Sequence, residues 1–286
     1  RQIDLTNGLY QGNFTYSYPL DLPGGMGGLS PSLALCYNSE LAEEKYLAVG
    51  WELVALAAIG RETTRATPIY DDRRDTFLLN LDGRRYRIRN DEGRPYFENA
   101  AMEVDFDGER WRVTQTDGTI YEFIPGCRFS AGIFDWVVES IRDPNGNEIE
   151  FAYDTSTLKD EGVIYLQKIS YLGENEIPIS VEFIWEDAGD RRFESYWATY
   201  RQVYTRRLKR IVVRAEGTDG LPVTVRTYEL GYHRSKTSAS NLLDRITPSP
   251  GEAVTFTYWS DEMDAEAPRW RASGARGPAA PDSSCM

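Results

Sequence analysis

The sequence predicts an all-β fold built from antiparallel sheets, and three observations predict it. Aromatic residues make up 13% of the 286 residues, with 18 Tyr and 7 Trp; such side chains favour pleated, half-buried surfaces. Apolar residues alternate with polar ones at period two over many short stretches, which is the signature of a half-buried strand. Those stretches are separated by Asp-Gly, Asn-Gly and Gly/Pro punctuation, the turn chemistry that antiparallel neighbours require.

Taken in order, "GNFTYSYPLDLP" places Phe14, Tyr16, Tyr18 and Leu20 on one face. "GGMGG" at Gly24–Gly28 breaks that strand, and "LSPSLALCY" resumes it through Leu33, Leu35 and Tyr37. A charged insert, "ELAEEK", leads to Gly50-Trp51 and the apolar run Leu53 to Ile59. The stretch around Ser39 has room for one helical turn capped by that serine. "TFLLNLDGRRYRI" reads as two strands joined at Asp82-Gly83. "VDFDGERWRVTQTDGTIYEF" repeats the pattern at Asp107-Gly108 and Asp117-Gly118. Asp and Gly both accept positive φ, so a two-residue type I′ turn is expected at each pair. "ESYWATYRQVYTRRLKR" has some helical spacing, but its β-rich composition reads as strand.

The second half carries a degenerate repeat anchored on Ile141, Ile169, Ile211 and Ile246. Each unit is a hairpin with a variable loop, followed by pairs such as Phe151-x-Tyr153 and Phe256-x-Tyr258. A lone hairpin is marginal in water, so such units are stable only against neighbours. The domain reading is a β domain over 1–130, hairpin repeats over 131–260, and an unstructured tail or linker over 261–286. The chain reads as a piece of a longer assembly, because long exposed strand edges invite aggregation unless further repeats or a partner cover them.

Composition excludes several functions. The formal net charge is -13, which a phosphate backbone would repel, so no nucleic-acid partner is expected. The longest apolar run is too short for a membrane span. Cys36, Cys127 and Cys285 are too scattered for a disulfide framework or a metal site. His233 is the whole imidazole supply and, standing alone, reads as a structural residue. No cofactor and no metal are expected.

The best catalytic candidate is "IYDDRRDTF", where Asp71, Asp72 and Asp75 lie beside Arg73 and Arg74. Paired carboxylates in that pattern suit sugar hydrolysis or cation binding. The plainer reading, a charged loop before a strand, is favoured because no distant partner for either chemistry is in sight. "DPNGNEIE" is similar on its surface to a calcium loop through Asp143, Asn145 and Asn147. Its Gly146 falls at the fourth position where an EF-hand needs the sixth, and Asp154 stands where the glutamate belongs. A turn held by the Asp143 side chain is the better reading. Trp51 reads as a sheet-to-sheet anchor, and Arg61 as the partner of a nearby carboxylate.

Several stretches together resemble one family. "GNFTYSYPLDLPGGMGGLSPSLALCYNS", "VGWEL", "IGRET", "PIYDDRRDTFLLNLDG" and "DPNGNEIEFAYD" resemble the N-terminal region of SpvB and of the insecticidal toxin complex B components, which lead into RHS/YD repeats. The positions that carry the resemblance are Tyr18, Pro19, Pro31, Tyr37, Ser39, Gly50, Trp51, Arg61, Asp75, Asp143, Asn145, Gly146, Asn147 and Tyr153. Ala48 replaces the first glycine of the family's Gly-x-Gly-Trp, and "ELAEEK" is an insert. The resemblance implies a sandwich-like β region opening a hollow shell, secreted by a bacterium and non-enzymatic. It implies downstream RHS repeats or a C-component-like toxin chain as partner, with a translocation pore component beside them. A cell-surface module binding glycan or protein, and a hydrolase around Asp71 and Asp75, are the rival readings.

Overall fold

The computed structural model describes residues 14–258 apart from 42, 55, 64–66, 92, 99, 190–191, 197 and 237–239; the 261–286 tail lies outside the described residues. Strands dominate. A first group is β1 (Thr15–Pro19), β2 (Ala34–Asn38) and β3 (Trp51–Val54), which pair in that order as a three-stranded sheet. A second is β4 (Ala58–Arg61), β5 (Phe77–Leu81), β6 (Arg84–Asp91) and β7 (Arg94–Phe97). A third is β8 (Glu103–Phe106), β9 (Trp111–Thr114), β10 (Ile120–Phe129) and β11 (Gly132–Arg142). β12 (Glu148–Asp154) is followed by a single helical turn, α1 (Leu158–Glu161), then β13 (Tyr165–Leu172) and β14 (Pro178–Asp187). A short hairpin, β15 (Phe193–Ser195) and β16 (Gln202–Tyr204), precedes β17 (Arg206–Glu216), β18 (Pro222–Arg234), β19 (Asn241–Ser249) and β20 (Val254–Thr255).

β4 to β14 and β17 to β20 form one 15-stranded antiparallel sheet. β11 is its fork. One edge of β11 pairs along β10, while the other pairs β4 through Asp135–Val137 and β12 through Ser140–Arg142. The strands β4–β7 and β8–β10 curl towards each other until β7 lies beside β8. They enclose Phe77, Ile88, Trp111, Phe123 and Trp136 as a barrel-like core. From β12 onward the sheet runs on as a strip of hairpins, so it is continuous across residue 130.

Register makes the strip two-faced. One row of directly opposed residues crosses nine strands as Val104, Val113, Tyr121, Ile141, Ile149, Tyr171, Ile179, Ala215 and Val223. The adjacent row reads Asp105, Arg112, Glu122, Ser140, Glu150, Ser170, Ser180, Arg214 and Thr224. Successive side chains point to opposite faces, so the first row lies on the core side as far as Ala215, with Val223 exposed beyond it, and the second lies on the polar side. The repeat anchors Ile169, Ile211 and Ile246 are completely buried on the core side, while Ile141 is half-buried.

The three-stranded sheet covers part of that apolar face. Tyr18 stands edge-on to Tyr228 with centroids 6.2 Å apart. The Asp21 amide donates to the Tyr228 hydroxyl at 2.7 Å, and the Tyr171 hydroxyl donates to the Pro23 carbonyl at 2.8 Å.

Turn geometry departs from expectation at two of the Asp-Gly pairs. Only Asp82-Gly83 forms the two-residue turn with both φ positive, closed by Leu81 opposite Arg84. At Asp107-Gly108 the loop holds four residues, since Phe106 faces Trp111. There Asp107 accepts from the amides of Glu109 and Arg110, so its side chain replaces the tight turn. Asp117-Gly118 sits in a five-residue loop whose pattern recurs at 143–147 and 217–221. In each, the first amide donates to the fifth carbonyl, and the glycine amide donates to the first carbonyl. Each fourth-position glycine has positive φ. The repeat is therefore a repeated loop as much as a repeated strand. The helical turn expected after Ser39 is absent among the described residues; Ser39 Oγ instead accepts the Phe14 amide at 2.9 Å and closes the β1–β2 ladder.

Candidate functional site

The motif residues fall in three separate places. The first is the rim of the barrel. Arg61 ends β4 with its side chain 2% exposed. Its Nε donates to the Ile133 carbonyl at 2.7 Å, its Nη1 to Asp75 Oδ2 at 2.7 Å, and its Nη2 to Asp72. The guanidinium lies 5.0 Å from the Phe77 ring, 5.1 Å from Tyr70 and 5.7 Å from Trp136. Asp75 also accepts the amides of Ile69 and Tyr70. Asp71 accepts the Arg73 amide, and its carbonyl takes those of Arg74 and Asp75. The acidic residues that suggest hydrolysis therefore spend their oxygens on one buried arginine and on the turn that carries them. Burial pushes the Tyr70 phenol up to about 12, and its hydroxyl donates to the Ala198 carbonyl at 2.5 Å.

Gly50 and Trp51 mark the second place. Gly50 has φ +79, and a Cβ there would stand 2.5 Å from the Tyr37 ring and 3.0 Å from the Asn38 carbonyl. Trp51 is 5% exposed and packs 4.8 Å from Phe256. Its indole donates to the Tyr258 hydroxyl at 2.9 Å, and that hydroxyl donates on to the Leu243 carbonyl. The pair therefore pins the three-stranded sheet to β19 and to the segment after β20, far along the chain. A buried Trp with a satisfied N–H is an anchor and offers no face for a sugar to stack on. Tyr18 and Pro31 are buried beside this layer, Pro19 is exposed, and Tyr37 stacks obliquely on Trp51 at 5.5 Å. Gly50→Ala is expected to lower stability by about 2–3 kcal/mol, from backbone strain plus the ring clash. Urea titration checks this, and a midpoint equal to the parent's would refute the role.

The third place is the 143–147 loop. Asp143 Oδ1 accepts the amides of Asn145 and Asn147, and Oδ2 accepts Asn147 Nδ2 at 2.7 Å. These bonds, led by the Asn147 side chain, hold the exposed Asp143 carboxyl below its usual range. Its oxygens are occupied by the turn and leave no calcium geometry. Tyr153 is a cross-strand tie, donating to the Val138 carbonyl at 2.8 Å. His233 sits 3.7 Å from Asp244 and beside the Tyr258 ring. Among the described residues no group of His, Cys, Asp and Glu could hold a metal ion, and no helix is long and apolar enough to cross a membrane.

One partly buried cluster escaped the sequence reading. Asp135 on β11 lies opposite Cys127 of β10 and Gly60 of β4. Desolvation pushes its carboxyl up to about 6, with Lys45 opposing. Burial also raises the Cys127 thiol and, strongly, the Tyr204 phenol. The available signal was a single charge inside the apolar run "GIFDWVV".

With this geometry in hand, the comparisons are specific. Residues 9–116 match the family model described as SpvB, Salmonella virulence plasmid 65kDa B protein. This segment resembles the SpvB family. No curated protein matches the chain. Among solved structures, the N-terminal domain of effector protein SpvB from Salmonella typhimurium strain LT2 has 17% identity and a TM-score of 0.61, covering 84% of this chain and 99% of that one. The TcdB2-TccC3 structure has 17% identity and a TM-score of 0.64, covering 88% of this chain and 16% of that one. The Photorhabdus luminescens Tc holotoxin pore structure has 16% identity and a TM-score of 0.61, covering 85% and 15%. The chain thus has the fold of the SpvB N-terminal domain along nearly that domain's whole length. It spans about 15% of the toxin-complex chains it matches.

Proposed function

We propose that this SpvB-type chain is a non-enzymatic wall module of a bacterial secreted toxin, part of an RHS-type shell that encloses or carries a toxic passenger. The observation that carries this reading is the two-faced sheet. One apolar row and one polar row run unbroken across nine strands, and an element of that kind separates two environments. Its conspicuous polar residues are consumed in holding turns and strands, as at Arg61, Asp75 and Asp143. In this reading 1–130 opens the wall, 131–260 continues it as RHS/YD-like hairpins, and the motif residues from Tyr18 to Tyr153 are structural joints. Its partners are further RHS hairpins or a C-component-like toxin chain, with a pore component beside them, outside the bacterial cell.

Limited proteolysis of the full chain, with and without a neighbouring toxin component, tests the proposal. Cleavage at the loops 143–147, 173–177 and 217–221 is expected to slow severalfold when the component is added. Equal cleavage in both samples counts against a wall. A glycosidase substrate panel supplies the second arm: turnover that disappears in Asp75→Asn, with the fold retained, would replace the wall reading with the hydrolase.

A further inference from the structure

Part of one strand of the strip has an open edge. β17 pairs β18 from Pro222 to Glu229, but β19 pairs it only from Thr227 to Arg234. Among the described residues, positions 222–226 therefore have a strand on one side and none on the other. β19 leaves the ladder after Ser249, at Pro250, which has no N–H to donate. The alternation of the ladder decides which backbone groups face the open side. The Gly217 amide donates to the Leu221 carbonyl at 2.8 Å. The next hydrogen-bonded pair is then Ala215 with Val223, and the positions between such pairs turn their backbone groups away from β17. Thr224 thus points an amide and a carbonyl at the open side, and Pro222 a carbonyl.

The side chains beside this edge are apolar. Leu221 is 62% exposed, Val223 53%, and Val225 is exposed as well. Val223 is the last member of the apolar row that crosses nine strands. The layer that covers the rest of that face reaches the strip at Gly25 opposite Gly173, at Pro23 beneath the Tyr171 hydroxyl, and at Asp21, which pairs Arg226 at 2.8 Å. It leaves Leu221 and Val223 uncovered. The unspent charge here is acidic. Glu216 and Asp219 are exposed at this end of the β17–β18 hairpin. The neighbouring cations are engaged, Arg214 with Glu182 at 3.2 Å and Arg226 with Asp21.

We propose that residues 221–226 are a docking edge for an extended strand of a partner polypeptide, one whose side chains alternate between apolar and polar and which carries Lys or Arg beside the 217–221 turn. Outward backbone groups in register are matched by another strand, which supplies the complementary donors and acceptors. Apolar side chains at alternate positions cover Val223 on one face, while polar ones meet Thr224 on the other. Glu216 and Asp219 set the sign of the partner's charge. A second copy fits poorly, since each chain brings a formal net charge of -13 and its cations at this edge are already engaged. Naming the next hairpin of the shell as that strand rests on the wall reading; the edge itself rests on the register.

Fluorescence anisotropy of the full chain with a labelled synthetic peptide tests it, the peptide alternating valine and threonine and ending in lysines. Saturable binding is expected. N-methylation of alternate peptide amides, or exchange of the lysines for glutamates, should each weaken it about tenfold. Thr224→Pro removes an outward N–H that no strand of this chain uses and should also weaken binding about tenfold. Thr224→Val keeps that N–H, loses the same side-chain contact with Arg214, and should bind like the parent. Absence of saturable binding overturns the edge, as does parent-like binding by Thr224→Pro. A dimer in sedimentation that Thr224→Pro abolishes also overturns it, because the occupant is then a second copy. Should Thr224→Pro fail to fold, the N-methylated peptide decides, and binding equal to that of the plain peptide refutes the proposal. The wall reading fails separately: peptide binding without any protection by a neighbouring toxin component counts against the wall and leaves the edge standing, whereas protection of 217–221 that persists in Thr224→Pro refutes the edge and leaves the wall.

Discussion

Arg61→Met is expected to lower the unfolding free energy by about 3–5 kcal/mol, because it leaves buried acceptors without their cation. Three elements meet on this one side chain: β4, which carries it, the 69–75 turn through Asp72 and Asp75, and β11 through the Ile133 carbonyl. Asp75 is 9% exposed at its side chain, so its charge loses its partner with little water to replace it. Arg61→Lys should recover less than half of the loss. A single ammonium cannot reproduce a planar fork that donates in three directions while lying against Phe77 and Tyr70. A triple change, Arg61→Met with Asp72→Asn and Asp75→Asn, separates burial of charge from loss of packing. It should be more stable than Arg61→Met alone, since no uncompensated carboxylate remains. Denaturant unfolding followed by Trp fluorescence reads all three; a loss below about 1 kcal/mol for Arg61→Met would show that the rim is held by packing alone.

How much of this was legible in the sequence depends on the range of the interaction. Period-two alternation and Asp82-Gly83 are local, and β5, β6 and that turn stand where they were read, whereas the stretch read as one strand over 194–210 turns at 198–200 between β15 and β16. The anchoring role of Trp51 was legible because a Gly-Trp pair before an apolar run has few other uses. Its actual partners, Phe256 and Tyr258, lie some two hundred residues away and leave no trace near Trp51. Arg61 was expected to meet a carboxylate, but two of them converge, and the aspartates that suggested catalysis are those partners. The turns at Asp107 and Asp117 were misjudged for a physical reason. An Asp side chain that accepts downstream amides stabilises a longer loop as well as it tolerates positive φ, and the strand register chooses between them. Asp135 was passed over because a lone acid in a strand ordinarily points to water.

The second large effect concerns the barrel interior. Trp136→Ala is expected to cost about 3–5 kcal/mol, the range for emptying an aromatic site in a core that cannot collapse. Trp136 is completely buried, its indole donates to the Glu109 carbonyl at 2.8 Å, and it stands nearly perpendicular to Trp111 at 5.8 Å and to Phe106 at 5.7 Å. It also closes one side of the Arg61 pocket, so its removal should sensitise the rim, and the two losses should not add. Trp111 provides the internal comparison. It is equally buried and stacks on Phe106 at 4.3 Å, but its indole nitrogen has no hydrogen-bond partner among the described residues. Trp111→Phe removes an orphaned donor along with some ring area, so it should cost under about 1 kcal/mol, whereas Trp136→Phe should cost more because it strands the Glu109 carbonyl. Equilibrium unfolding of the three variants gives the order. If Trp111→Phe proves costlier than Trp136→Phe, ring area and not indole hydrogen bonding governs this core, and the fork at β11 owes its rigidity to volume alone.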